Sequence, residues 1–233
     1  MTYPFSETTL VRDIVNQLPK ASDIFKRHRI DFCCGGAVPL KKAAAESKTD
    51  MRELTNELFA LYEKERSGTE NMEVWTDSGS EEIIRHIQTR YHEPHREELV
   101  QLTPYVTKVA RVHGMNHPEL IRVHELFLTL KKELLEHTKK EDERTFPLIL
   151  KLAGGNGENK EEIINEIMEL EKEHDITGAI LKELRDVTSG YTLPPDACGT
   201  YRIVYKRLEK LEEETFMHIH LENNILFPRY LPS

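Results

Sequence analysis

The sequence has few cysteines and no long apolar run, and each absence excludes a class of protein. Its three cysteines, two of them adjacent (Cys33 and Cys34), make no disulfide framework, which is typical of a reducing compartment. No stretch approaches about 18 apolar residues, and the N-terminus lacks a basic region followed by an apolar one. We therefore expect a soluble, cytoplasmic protein with no membrane partner.

Positive charge is also in deficit, since the formal net charge is −9 and the isoelectric point is about 5.7. Such a balance disfavours a broad surface for nucleic acid or for an anionic membrane, so neither partner is predicted. The 233 residues are enough for a bundle with a substantial core and no structural staple. The unusual count is eleven histidines, which prompts a search for metal ligands.

Turn-forming residues divide the chain into two helical regions. Residues 1–66 contain short helical patterns around the segment DFCCGG, which predicts a small helical domain with a Cys-Cys pair. Residues 67–79 are polar without a period and are interpreted as a linker. Four long amphipathic segments follow, at about 80–113, 116–154, 159–189 and 195–228. Their short connections predict an all-α, up-down-up-down four-helix bundle spanning residues 80–233.

One face of each long segment carries apolar residues at spacings of three and four, and this stripe also carries polar residues. The ionisable members are His92, His95, His137, Glu141, His174, His218 and Glu222. Beyond Glu141 the same spacing predicts Leu148 on the buried face. A single histidine on an apolar face is usually an ordinary core residue. Two buried carboxylates beside four histidines, however, would cost several kcal/mol each without a cation.

An internal repeat supports the same interpretation. The patterns His137-xxx-Glu141-xxxx-Phe146-Pro147 and His218-xxx-Glu222-xxxx-Phe227-Pro228 have identical spacing. The single histidines precede them by nearly equal distances, 45 residues from His92 to His137 and 44 from His174 to His218. The bundle is therefore predicted to consist of two helical hairpins related by a pseudo-two-fold axis.

A count of ligands indicates which metal such a set would hold. If two metals share it, each has two histidines and both bridging glutamates, and one oxo or hydroxo bridge completes five ligands. An octahedral metal then keeps one position for a small molecule. Mixed imidazole and carboxylate donors suit iron, whereas zinc normally stays tetrahedral and manganese, the alternative, favours more oxygen. Two iron ions per chain are predicted.

These motifs resemble those of known proteins. The spacing is similar to that of the haemerythrin-like di-iron bundle. With the DFCCGG segment it resembles the Repair of Iron Centres family, which is implicated in restoring iron–sulfur clusters after nitrosative or oxidative stress. The shared segments are RYHxxHRE, HxxxE, EHD, PPDAC and HIHLENNILFP. The resemblance implies six iron ligands: His92, His137, Glu141, His174, His218 and Glu222. It also implies bridging glutamates and damaged iron–sulfur proteins as clients. True haemerythrins use five histidines, so this pattern indicates an open position on both irons.

Three further residues of the bundle have two interpretations each. His95 is either a seventh ligand or, as we favour, a residue that supports the ligands or lines their rim. Glu133 and Glu173 either line an access channel or are exposed helix charges. Pro94 removes a backbone donor and favours a local kink in the first long helix.

The cysteines are also ambiguous. Cys33 and Cys34 are either a reactive thiol pair, for redox chemistry, nitric oxide or transient iron–sulfur contact, or part of a buried structural turn. The glycines that follow them allow close backbone approach and positive φ. Cys198, alone near the start of the last helix, is expected to be inert.

Three functions from different classes fit this pattern. The first is iron-handling repair of iron–sulfur clusters from a labile di-iron site. The second is reversible binding of oxygen or nitric oxide, and the third is a di-iron enzyme that reduces nitric oxide or peroxide. The Cys-Cys domain favours repair, because an oxygen carrier has no use for an appended thiol module. The oligomeric state stays open, with a homodimer among the options.

Overall fold

The computed structural model describes residues 3–67, 75–155 and 160–232. Contacts divide the chain into two compact units, one of Met1–Gly79 with Ile219–Ser233 and the other of Ser80–His218. Most of the predicted linker, residues 68–74, lies outside the described residues. The domain limits at 66 and 80 stay predictions. The contacts group the last turns of the chain with the first unit, whereas the sequence predicts that they belong to the bundle.

The first unit is built from four helices. They are α1 (Val11–Gln17), α2 (Ala21–Arg27), α3 (Leu40–Glu46) and α4 (Met51–Ser67). Before α4, the Oδ1 atom of Asp50 accepts hydrogen bonds from the N–H groups of Arg52 and Glu53 at 2.7 and 3.2 Å. This cap satisfies donors that the first turn of a helix leaves unpaired, which is why α4 begins there.

The C-terminal segment packs within this unit through a buried histidine. His220 is 1 % exposed, with Nδ1 3.1 Å from the carbonyl oxygen of Phe32 and Nε2 2.9 Å from Oδ1 of Asn16. Burial lowers the pKa of His220 to about 4. The imidazole is therefore neutral at pH 7 and serves as a structural connection.

The second unit contains the long helices. They are α5 (Ser80–Ile87), α6 (Glu93–His113), α7 (Glu119–Lys140), α8 (Phe146–Ala153), α9 (Lys160–Val187) and the greater part of α10 (Gly199–Leu221). Segments of wider π-helix continue three of them, at Gln88–His92, Glu141–Thr145 and Glu222–Leu226, and a 3₁₀ turn, Phe227–Arg229, ends the last.

Polar contacts join neighbouring long helices of this unit around a closed ring. They are Lys131 to Thr103 (α7 to α6, 2.9 Å), Lys140 to Glu169 (α7 to α9, 2.9 Å), Arg185 to Glu212 (α9 to α10, 2.8 Å) and Arg207 to Glu98 (α10 to α6, 2.7 Å). The fold is a four-helix bundle, which confirms the predicted all-α class. No strand forms among the described residues.

The predicted stripe is buried, with one exception that has a physical cause. Leu99, Phe127, Ile167 and Val204 are each 0 % exposed. Leu148, however, is only partly buried, and its neighbour Ile149 is 0 % exposed instead. Hydrogen bonds in the π-helical segment after Lys140 span five residues and not four, so the segment shifts the buried face by one position. The prediction for Leu148 was therefore wrong. None of the helices in the described part of the chain combines the length and the apolar composition that a membrane span requires.

Candidate metal centre

Six predicted side chains form two overlapping donor groups. One group is His92, Glu141, His218 and Glu222, and the other is His137, Glu141, His174 and Glu222. Within each group the donor atoms lie within 4.8 Å of one another, and all residues are buried. Both glutamates belong to both groups, and each group takes one histidine from each predicted hairpin. The structure thus brings together the six residues that the sequence selected.

Glu141 lies between the two groups. Its Oε2 atom is 3.2 Å from Nε2 of His137, 3.4 Å from Nε2 of His92 and 3.8 Å from Nε2 of His218. Burial alone would raise the pKa of this carboxyl group. The charge of His137 and the close approach of the three histidine Nε2 atoms outweigh burial and, in the absence of a metal, hold the pKa of Glu141 well below its usual range. The carboxylate is therefore ionised although it is 0 % exposed.

A carboxylate outside the donor groups orients His92. Nδ1 of His92 donates to Oδ1 of Asp142 at 2.8 Å, and Asp142 also accepts hydrogen bonds from Arg96 and, at 2.9 Å, from Gln88. Burial would raise the pKa of Asp142, but the hydrogen bond and charge of His92 and the hydrogen bond from Arg96 lower it. Since an ionised carboxylate only accepts, the Nδ1 atom of His92 carries a proton.

His137 is held in the same way. Its Nδ1 atom donates to Oε2 of Glu173 at 2.8 Å, and Lys140 donates to the other oxygen of Glu173 at 3.0 Å. The hydrogen bond from His137 lowers the pKa of Glu173, with a further contribution from Lys140. Both arrangements match the carboxylate–histidine–metal pattern, in which the outer nitrogen is fixed and Nε2 is left for the metal.

The inner nitrogens converge on one another as a result. Nε2 of His92 lies 3.0 Å from Nε2 of His218, and Nε2 of His137 lies 3.0 Å from Nε2 of His174. A bound metal requires neutral imidazoles, and the tautomer that the outer carboxylates select then leaves the Nε2 lone pairs of His92 and His137 free for the metal. Without a metal, two buried imidazolium ions would be needed to compensate the two carboxylates. Divalent cations satisfy the same lone pairs and charges together, so the side chains fit a metal centre.

Each π-helical segment places a candidate ligand and is followed by a proline. The segment Gln88–His92 ends on His92, whereas the other two begin at Glu141 and Glu222. In all three, a proline stands two residues beyond the last residue of the segment: Pro94, Pro147 and Pro228. A proline ring clashes with the carbonyl group four residues earlier, which in each case belongs to the wider turn. Pro104, by contrast, lies within regular α6. A proline therefore favours a wider turn, but a helix can also contain a proline without one.

Two predicted supporting residues lie outside both donor groups. His95 is 1 % exposed, and its ring centroid is 5.8 Å from that of His218 and 6.1 Å from that of Tyr91. Glu133 is about one-third exposed, and its carboxylate lies 3.7 Å from Nζ of Lys132. Glu173 differs from both, because it contacts a candidate ligand directly.

Asp142 is the residue that sequence reasoning missed. Next to Glu141 on a helix, it reads as an ordinary exposed charge, yet its side chain is only 20 % exposed and contacts His92 from another helix. Arg96, one turn after His92, contacts the same carboxylate, but its side chain is 36 % exposed and water could satisfy it, so the sequence carried no clear signal for Asp142.

The cysteine pair lies in the first unit, in a turn organised by Asp31. Oδ1 of Asp31 accepts hydrogen bonds from the N–H groups of Cys33 and Gly35 at 3.1 and 3.0 Å. The Sγ atoms of Cys33 and Cys34 are 3.8 Å apart. The hydrogen bond with Cys34, then burial and the Asp31 charge, raise the pKa of Cys33 well above its usual value. Cys34 is only partly buried, so it is the accessible thiol of the pair.

The two glycines after the cysteines differ in part from expectation. A Cβ atom on Gly36 would lie 2.3 Å from the carbonyl oxygen of Phe32, so close approach does require glycine there. Neither Gly35 nor Gly36 has a positive φ. On the other side of the turn, Nδ2 of Asn224 donates to the carbonyl oxygen of Cys33 at 2.8 Å. The turn therefore packs against the C-terminal segment just after Glu222, within the first unit.

Comparison with known proteins agrees with this geometry. Residues 83–230 match the family model described as Hemerythrin HHE cation binding domain, and this range contains all six candidate ligands. Residues 7–62 match ScdA_N, described as Domain of Unknown function (DUF542).

Relatives cover nearly the whole chain. The protein named Iron-sulfur cluster repair protein ScdA of Staphylococcus haemolyticus is 42 % identical over 222 residues, which is 95 % of this chain and 97 % of the relative. Iron-sulfur cluster repair protein YtfE of Escherichia coli is 36 % identical over 220 residues, 94 % of each chain. The chain belongs to the family of these iron-sulfur cluster repair proteins. Membership confirms the resemblance stated above and a cation-binding helical domain. The six ligands stay a prediction, which their convergence supports.

Proposed function

We propose that this protein repairs iron–sulfur clusters damaged by oxidative or nitrosative stress, and that it supplies iron from a labile pair of iron ions. The observation that carries the proposal is the convergence of four imidazole nitrogens on two buried carboxylates shared by both donor groups. Relatives named for the same repair align over almost the entire chain, including the region of the cysteine pair.

The donor set favours two irons over other metals. Two histidines and two shared glutamates give each metal four donors, and an oxo or hydroxo bridge would give a fifth. Such a mixed set exceeds the four ligands that zinc normally takes, and it has more nitrogen than manganese favours. Glu141 contacts histidines of both groups, so we assign it a bridging role together with Glu222.

Damaged iron–sulfur proteins are the proposed clients, and the proposed location is the cytoplasm. We assign Cys34 a supporting role at the surface, since it is the accessible thiol of its pair and its turn packs against the segment after Glu222. Reversible oxygen or nitric oxide binding is not favoured, because the relatives that cover both units carry the repair name.

The test is rescue of an iron–sulfur dehydratase inactivated by nitric oxide or peroxide. Iron-loaded protein should restore dehydratase activity in the presence of a strong iron chelator. The apo-protein and the Glu222→Leu variant should not restore it, because the variant lacks a donor that both groups share. Glu136→Leu is the matched control, since this glutamate is adjacent to His137 but its side chain is 67 % exposed.

Free ferrous iron at the same concentration sets the baseline. Rescue that only equals this baseline would mean that donation is not a specific function of the protein. Reduction of nitric oxide or reversible binding of oxygen would then be the favoured function. The first can be tested by release of nitrous oxide, and the second by a reversible spectral change with oxygen.

A further inference from the structure

A second set of metal-binding side chains lies at the far end of α6. His113 is the last residue of this helix, about 30 Å along it from His92. The chain then turns, and the N–H group of His117 donates to the carbonyl oxygen of His113 at 2.8 Å, which keeps the four-residue spacing of a helix. The segment before α10 supplies Asp196 and Cys198 beside them.

The two histidines each face an anionic or thiol donor. Nε2 of His113 is 3.2 Å from Sγ of Cys198, and Nε2 of His117 is 3.0 Å from Oδ2 of Asp196. Nδ1 of His117 is 3.2 Å from Oε1 of Glu119. This repeats the arrangement of the metal centre, in which a carboxylate holds Nδ1 and Nε2 points at other donors.

Within each pair the donor distances are close to those of a tetrahedral zinc site, although the four donor atoms do not yet converge on one point. Zn–S and Zn–N bonds of about 2.3 and 2.0 Å place a sulfur and a nitrogen ligand about 3.6 Å apart, near the separation of Cys198 and His113. Two imidazole rings on one zinc ion have centroids about 5 Å apart by the same geometry. The rings of His113 and His117 are 6.5 Å apart, so the two rings have to approach each other by about 1.5 Å when they bind one ion.

Surface exposure permits this movement. Cys198 is exposed, and the side chain of Asp196 is 61 % exposed. The ring of Tyr201, by contrast, is buried and lies 5.6 and 5.7 Å from the two imidazoles, which gives them a fixed floor. We propose that four side chains at this end of the bundle bind one zinc ion: His113, His117, Asp196 and Cys198.

The donor set selects zinc over the iron of the main centre. It combines one thiolate and two imidazoles with a single carboxylate, and divalent zinc binds nitrogen and sulfur donors more tightly than ferrous iron does. The bound ion would tie the turn between α6 and α7 to the segment that leads into α10. It would also cover Cys198, the thiol that the sequence analysis expected to be inert.

The experiment reads zinc binding at Cys198 itself, because zinc added to the protein also has the main centre available. Iron-loaded, full-length protein is treated with N-ethylmaleimide, with and without added zinc chloride, and alkylation of Cys198 is followed by peptide mass spectrometry. We expect zinc to slow this alkylation at least tenfold. His113→Ala and Asp196→Asn should each raise the zinc concentration for half protection by about 10- to 100-fold, which is typical of a disrupted metal site.

The matched control is His124→Ala, which removes a histidine of the same bundle whose Nε2 contacts Thr107 at 3.1 Å. Protection in this variant should equal that of the unaltered protein. The proposal is overturned if zinc leaves the alkylation rate unchanged, or if His113→Ala and Asp196→Asn are protected as well as the control. The second result would mean that zinc binds Cys198 without the other donors.

Discussion

Glu173, whose carboxylate accepts a hydrogen bond from Nδ1 of His137, offers a test of how the candidate metal centre is organised. In Glu173→Ala, Nδ1 of His137 loses its acceptor, so the imidazole is no longer fixed in the tautomer that directs the Nε2 lone pair at Glu141 and His174. Loss of such an outer partner typically costs 10- to 100-fold in metal affinity, or about 1.4 to 2.8 kcal/mol. The loss should concern one metal position, because His92 keeps its own partner, Asp142.

The assay is iron retention against increasing concentrations of a chelator, with Mössbauer spectra to count the iron environments. Glu173→Ala should release one of the two proposed irons at a lower chelator concentration than the unaltered protein does. Glu169→Ala is the control, because Glu169 contacts the same Lys140 at 2.9 Å, and its side chain is 64 % exposed. The reasoning is refuted if Glu173→Ala and Glu169→Ala retain iron equally well. Any loss of iron would then come from the contact with Lys140, which both glutamates share, and not from the contact with His137.

Two further substitutions test the centre. Glu141→Leu should lower the iron content from about two ions per chain to less than one. Helicity should be kept, because leucine suits the buried stripe. His95→Leu should retain both of the proposed irons, and equal losses in the two variants would add His95 to the candidate ligands. Pro147→Ala restores an N–H group and removes the ring clash, so we expect the wider turn to revert towards α-helix and iron to dissociate severalfold faster, measured with a chelator. Pro104→Ala, in a regular part of α6, should not change that rate, and an unchanged rate in Pro147→Ala as well would separate the wider turn from its proline.

The sequence predicted the bundle and the six converging side chains because both depend on helical periodicity. Residues three and four apart share a helix face whatever the tertiary structure, so Leu99, His137 and Glu222 could be placed on the buried face from spacing alone. Contacts between helices carry no such local pattern. Asp142 and Glu173 each reach a histidine on a different helix, and on their own helices they are indistinguishable from solvated charges. The pairing of His113 with Cys198 was missed for the same reason, since 85 residues separate them.

The wider turns show where periodicity itself fails. An α-helical count places Leu148 in the core, but the five residues from Glu141 to Thr145 turn as π-helix and Ile149 is buried instead. From the sequence alone, the repeated Phe-Pro pairs indicate only symmetry, and Pro94 indicates only a kink. All three prolines stand two residues beyond a wider turn, so they share a physical role. Each favours a wider helical turn at the point where an imidazole or carboxylate side chain is directed at the candidate metal centre. α9 supplies His174 from a regular helix without a proline, so three of the four helices that carry candidate ligands have this adjustment and the fourth does not.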